Sequence, residues 1–89
     1  MRIVRSASAG TMESSDAYVE IEPGTNGIDI QLDSVVKAQY GDSIEATIQE
    51  VLKENQVDSA VIRVVDRGAL DCVIRARVEM AVVRGRENV

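Results

Sequence analysis

The stretch Ala17–Leu32, AYVEIEPGTNGIDIQL, is the most informative about the fold, because it holds two alternating segments separated by the chain's one proline and two of its six glycines. In AYVEIE, Ala17, Val19 and Ile21 alternate with Tyr18, Glu20 and Glu22, the period of a strand with one buried face. In IDIQL, Ile28, Ile30 and Leu32 alternate with Asp29 and Gln31 in the same way. Between them PGTNG, Pro23–Gly27, concentrates residues that fix φ or tolerate positive φ, including an Asn-Gly pair. This pattern predicts a hairpin whose two strands pair antiparallel.

Beyond the hairpin and VVKAQYG, Asp42 and Glu45 form a D-x-x-E capping box, whose side chains can satisfy unpaired N–H groups at a helix start. A helix is predicted from Asp42 to about Asn55. Ile44, Ile48, Val51 and Leu52 then form one apolar stripe, with Glu45, Gln49, Glu50 and Lys53 facing water. SAVIRVV, Ser59–Val65, is short and rich in β-branched residues, so it reads as a central strand buried on both faces and ended by DRG. The segment 70–83 supports two periods. Cys72, Ile74, Ala76, Val78 and Met80 alternate like a strand, whereas Asp71, Arg75 and Glu79 stand four apart and would pair along a helix. Arg84 and Arg86 suit a helix C-terminus, and the segment is far longer than the usual strand of ~5 to 6 residues. Helix is the reading adopted. Residues 1–15 are small and polar, which suits an extended segment or a flexible arm. The sum is one α+β domain over residues 1–89, a small antiparallel sheet with two helices packed on one face.

Composition removes many functions. At 89 residues the chain can bury a modest core but has little room for a catalytic cleft as well. Without Phe or Trp, that core is aliphatic. A formal charge of -5 repels phosphate backbones, and only Tyr18 and Tyr40 could stack on bases, so nucleic-acid binding has no support. No apolar run is long enough to span a membrane and no signal segment is evident at Met1, which predicts a soluble, cytoplasmic protein. The absence of histidine excludes Ser-His-Asp catalysis and histidine-bound zinc. Neither a Walker A loop nor G-x-G-x-x-G is present. The single cysteine, Cys72, lies among Leu70, Val73 and Ile74 and reads as a buried, inert core thiol. The carboxylates Glu13, Asp16, Glu20 and Glu22 read as solvated acids of a strand and its approach.

What remains is GTMESSD, Gly10–Asp16, with two serines that nothing in the chain can activate. A serine of this kind can serve as an acceptor for another enzyme if it lies on an exposed, deformable segment. Gly10, the small neighbours Thr11 and Ser15, and the acidic flanks meet that requirement.

AGTMESSD at Ala9–Asp16, YGD at Tyr40–Asp42 and DRGALDCVIRAR at Asp66–Arg77 together resemble the acyl carrier protein (gamma) subunit family of bacterial citrate lyase. The resemblance covers nearly the whole chain. Met12 stands where the family usually has leucine, an exchange of similar volume. The resemblance implies that Ser14, after the glutamate of the motif, is the covalent attachment site, and that Ser15 is not. It further implies a non-catalytic carrier whose prosthetic group is 2'-(5''-phosphoribosyl)-3'-dephospho-coenzyme A, joined to the hydroxyl by a phosphodiester and ending in a thiol. The implied partners are the citrate lyase alpha subunit, which exchanges acetyl for citryl, and the beta subunit, which cleaves the citryl thioester. A prosthetic-group transferase and an acetyl-ligase enzyme complete the set. Glu13 and Asp16 are expected to repel the arm's phosphates and hold it off the surface. Arg75, Arg77, Arg84 and Arg86 are either paired charges on a solvated helix or contacts for partners or the arm. A carrier of malonate decarboxylase or citramalate lyase, and an unmodified interaction module, are the alternatives.

Overall fold

The computed structural model describes residues 2–87, which form four strands and two helices in the order β1 (Ala7–Gly10), β2 (Ala17–Pro23), β3 (Ile28–Ser34), α1 (Lys37–Glu54), β4 (Ala60–Asp66) and α2 (Asp71–Gly85). The α+β class and the two helices are as expected, and the segment with two periods is helical. Among the described residues no helix is long and apolar enough to cross a membrane.

The sheet order is β1-β2-β4-β3, and this corrects the hairpin at PGTNG. β2 pairs antiparallel with β4, β3 pairs parallel with β4, and so β2 and β3 never touch as neighbours. The sheet is therefore mixed. Residues 24–27 carry the chain across the N-terminal end of β4, where the Ala60 N–H donates to the Gly27 carbonyl at 3.1 Å. Gly24 sits so close that an added Cβ would lie 2.8 Å from the Ala60 nitrogen. The hairpin of this fold lies earlier, where β1 pairs antiparallel with β2 and GTMESSD forms the connecting loop.

Alternation within each strand sorts the sheet into a covered and an open face. Ala9, Ala17, Val19, Ile21, Leu32, Ala60, Ile62 and Val64 are buried toward the helices. Arg63 and its cross-strand neighbours Glu20 and Gln31 stand on the other face, and the Arg63–Glu20 ion pair closes there at 2.9 Å. β4 is central, as read from its β-branched run, but only one of its faces is covered by helices. Ile48, Val51 and Leu52 of α1 and Val78 and Val82 of α2 complete an aliphatic core, each contributing about 1.5–3 kcal/mol on burial.

α1 starts five residues before the expected capping box. Its N-cap is Val36, which has no side-chain cap, and Asp42 falls inside the helix. The Ser34 hydroxyl compensates at this junction by accepting from the Val36 N–H at 3.1 Å. The apolar stripe of Ile44, Ile48, Val51 and Leu52 is buried as expected.

Arg75 does not pair along its own helix. It reaches across to Glu54 at 2.9 Å and Glu50 at 3.2 Å, joining α2 to α1, while Asp71 accepts from the Thr47 hydroxyl at 2.7 Å. Cys72 is exposed, which corrects its expected burial: on α2 the inward positions are Ile74, Val78, Ala81 and Val82, and Cys72 lies off that stripe. The N-terminal segment is tied to the end of α2. Val4 and Arg5 donate to the Gly85 carbonyl, and the Arg5 guanidinium donates to the carbonyls of Arg84 and Arg86. A cation there complements the negative end of the helix.

Candidate functional site

Ser14 lies on the six-residue loop between β1 and β2. The loop is built around a turn in which the Asp16 N–H donates to the Glu13 carbonyl at 3.2 Å, leaving Ser14 and Ser15 as the two central residues. Ser15 is left-handed with φ 67°, a conformation that glycine or asparagine usually fills. The Ser14 side chain is exposed and its hydroxyl has no hydrogen-bond partner among the described residues.

Both flanks of the loop are fixed. At its start, Gly10 has φ 90° and packs against Ala17 so closely that a Cβ would overlap the Ala17 carbonyl oxygen. At its end, the Ser15 N–H donates to the Arg67 carbonyl at 2.8 Å and the Arg67 N–H donates to the Asp16 carbonyl at 2.9 Å. These two bonds extend the β2–β4 ladder beyond its last paired residues, Ala17 and Asp66.

Asp16 is the anchor of the loop's own side chains. Its carboxylate accepts from Arg77 Nε and Nη2, both at 3.0 Å, from the Thr11 hydroxyl at 2.7 Å and from the Ala17 N–H at 2.7 Å. The bidentate Arg77 fork comes first among the causes that hold the Asp16 carboxyl well below the usual carboxylate range, followed by the Thr11 and Ala17 donors. Asp16 therefore does not act as a free repelling charge, as was expected of it. Its charge is matched by Arg77, and only Glu13 of the two acids remains solvated without such a partner.

The remaining basic residues of α2 are likewise committed inside the chain. Arg75 clasps α1, and Arg84 donates to the Ser8 carbonyl of β1 at 2.8 Å. Behind the loop, buried Asp66 accepts from the Ser34 hydroxyl at 2.7 Å and from the N–H groups of Gly68 and Ala69. This carboxylate joins the ends of β3 and β4 to the approach of α2. DRG thus does more than end the strand: an Asp that bonds the N–H two residues on, here that of Gly68, is a local signal for such side-chain-to-backbone bonding.

A small sheet backed by two helices carries, on a hairpin loop with fixed flanks, two exposed serine hydroxyls, those of Ser14 and Ser15, neither engaged by another described residue. Residues 4–85 match the acyl carrier protein family described as malonate decarboxylase delta subunit (MdcD). The chain belongs to the citrate lyase acyl carrier protein family: it is 48% identical over 88 residues to the citrate lyase acyl carrier protein of Lactobacillus helveticus, covering 99% of this chain and 91% of that one. It is 49% identical over 85 residues to the protein of that name from Vibrio cholerae, covering 94% of this chain and 87% of that one. Against citrate lyase acyl carrier protein 2 of Salmonella typhimurium it is 44% identical over 89 residues, covering 99% and 92%. Its fold is shared with a chain of the Pseudomonas malonate decarboxylase hetero-tetramer solved in complex with malonate, with a TM-score of 0.83 over 97% of this chain and 89% of that one at 23% identity. An acyl carrier family implies a covalently attached prosthetic group and a place among partner subunits.

Proposed function

We propose that this chain is the acyl carrier subunit of a citrate lyase, bearing 2'-(5''-phosphoribosyl)-3'-dephospho-coenzyme A on the Ser14 hydroxyl and serving the alpha and beta subunits in turn. The observation that carries the reading is the serine loop, where the Ser14 and Ser15 side chains are exposed and unbonded between two fixed flanks; the motif shared with the family selects Ser14 of the two. When attached, the group supplies the reactive thiol. The chain's own residues supply position. Gly10, the Arg67 backbone and the Asp16–Arg77 pair hold the root of the attachment, so that an arm there pivots about one point. Tethering of this kind keeps a bound load at high effective concentration near two active sites and turns each transfer into an intramolecular step.

The chain offers no histidine and, among the described residues, no side chain bonded to the Ser14 hydroxyl, so the proposal assigns the activating base to the prosthetic-group transferase. The acetyl-ligase enzyme that charges the thiol is likewise a separate partner. The free hydroxyl and its exposed surroundings suit a site that enters a foreign active site once and thereafter carries a large group.

Co-expression with the transferase tests the assignment. Wild type and Ser15→Ala should gain the mass of one prosthetic group and Ser14→Ala none; the same gain in Ser14→Ala would defeat it. A malonate decarboxylase carrier is the second reading, favoured by the MdcD family match and the shared fold. Pull-down of citrate lyase alpha and beta subunits, as against malonate decarboxylase subunits, separates the two.

A further inference from the structure

An open groove of about 650 Å³ runs along β3 beside the serine loop. Met12, two residues from Ser14, lines it together with Arg63, Val65 and Arg67 on the β4 side and Lys37 on the α1 side. Asp33 and Glu45 also reach it, so the groove gathers three cations against two carboxylates in a chain whose formal charge is -5. The cations differ in how far they are engaged. Arg63 is paired with Glu20, and the Lys37 ammonium donates to the Leu32 carbonyl at 3.2 Å. The Arg67 side chain has no hydrogen bond or ion pair among the described residues, while its backbone is bonded to Ser15 and Asp16. An unengaged guanidinium thus belongs to a residue whose backbone is hydrogen-bonded to the serine loop, and it lines a groove that Met12 of that loop also lines.

We infer that this groove is the resting place of an arm on Ser14, with the arm's phosphates against Arg67 and Lys37 and its less polar part along Met12 and Val65. The inference rests on the attachment proposed above. A guanidinium fork matches phosphate geometry, and a groove of this size lies within the range that binds cofactors. The groove is open and its charges are exposed, so salt weakens the contact and the arm leaves readily when a partner subunit approaches. Resting here shortens the search between transfers without fixing the thiol.

The test uses the full chain, isotope-labelled, before and after attachment, with intact mass measured first. A preparation that gains no mass overturns the attachment and the groove together. In a preparation that gains it, amide resonances of Lys37, Arg63 and Arg67 should shift along with those of the loop, and the shifts at Lys37 and Arg63 should be lost in modified Arg67→Gln and in high salt. Phosphorus resonances of the arm should sharpen in the same variant. Shifts confined to residues 11–16 of the modified wild type, or shifts at Lys37 and Arg63 that persist in Arg67→Gln, overturn the groove alone.

Discussion

Gly10 and Ser15 both adopt left-handed backbone, and they do so for different reasons. Gly10 has no alternative, because a side chain would collide with the Ala17 carbonyl. Gly10→Ala should cost at least about 2 kcal/mol in denaturant unfolding, from strain and displacement of the loop. Ser15 is strained but not crowded out, so Ser15→Gly should leave attachment intact and raise stability by up to about 1 kcal/mol. The Asp16–Arg77 pair makes a further prediction in acid. The folded Asp16 carboxyl titrates below its ordinary value of 3.8, so between the two values the unfolded chain binds the extra proton. The stabilisation is complete above the unfolded value and is lost as pH falls through the folded one. In Asp16→Asn the slope of stability against pH below about 4 should diminish by up to one proton equivalent; an unchanged slope would show that the pair does not couple to folding.

The unit β3-α1-β4 governs the arrangement of elements. β4 is the most apolar strand, and a central position gives it a ladder on both edges, which requires β2 and β3 to stand on either side of it. The alternation of AYVEIE and IDIQL revealed both strands and their inward residues, and the β-branched run of β4 revealed its central place. Pairing was not legible in the same way. Asn-Gly marks a turn but does not say whether the chain returns beside the strand it left or crosses one place further, and the choice is made by long-range pairing with β4. Gly24 is the residue that permits the crossing. Gly24→Ala should destabilise by about 1–3 kcal/mol through contact with Ala60, whereas an ordinary hairpin turn would tolerate it. The start of α1 was missed for a related reason. Ser34 bonds to the helix entry from two residues before the N-cap, whereas Asp42 and Glu45 have a capping spacing by chance of sequence. Cys72 was misplaced because its apolar neighbours in sequence are not its neighbours on the helix surface.

At the scale of the whole molecule, core and site are separate. The aliphatic core lies between the helices and one sheet face, and the serine loop lies at the end of the sheet with its own anchors. Ser14→Ala should therefore leave unfolding unchanged within about 0.5 kcal/mol while abolishing attachment, a separation that a structural serine would not show. The proposed attachment residue comes from the GTMESSD motif alone, an unactivated serine on a segment expected to be exposed together with a resemblance of motifs, and the exposure of that segment is what the fold adds. The anchors were not legible, because Arg67 and Arg77 reach the loop through the topology. A chain of an acyl carrier family carries a covalently attached group, and attachment at Ser14, as proposed, would give that group a point held by the loop's anchors.

The most direct measurement is fragmentation mass spectrometry of the loop peptide from wild-type protein modified by the transferase. Attachment at Ser14 should yield fragment ions that carry the whole added mass on Ser14 and an unmodified Ser15. Added mass on Ser15, on any residue outside the loop, or on none would contradict it.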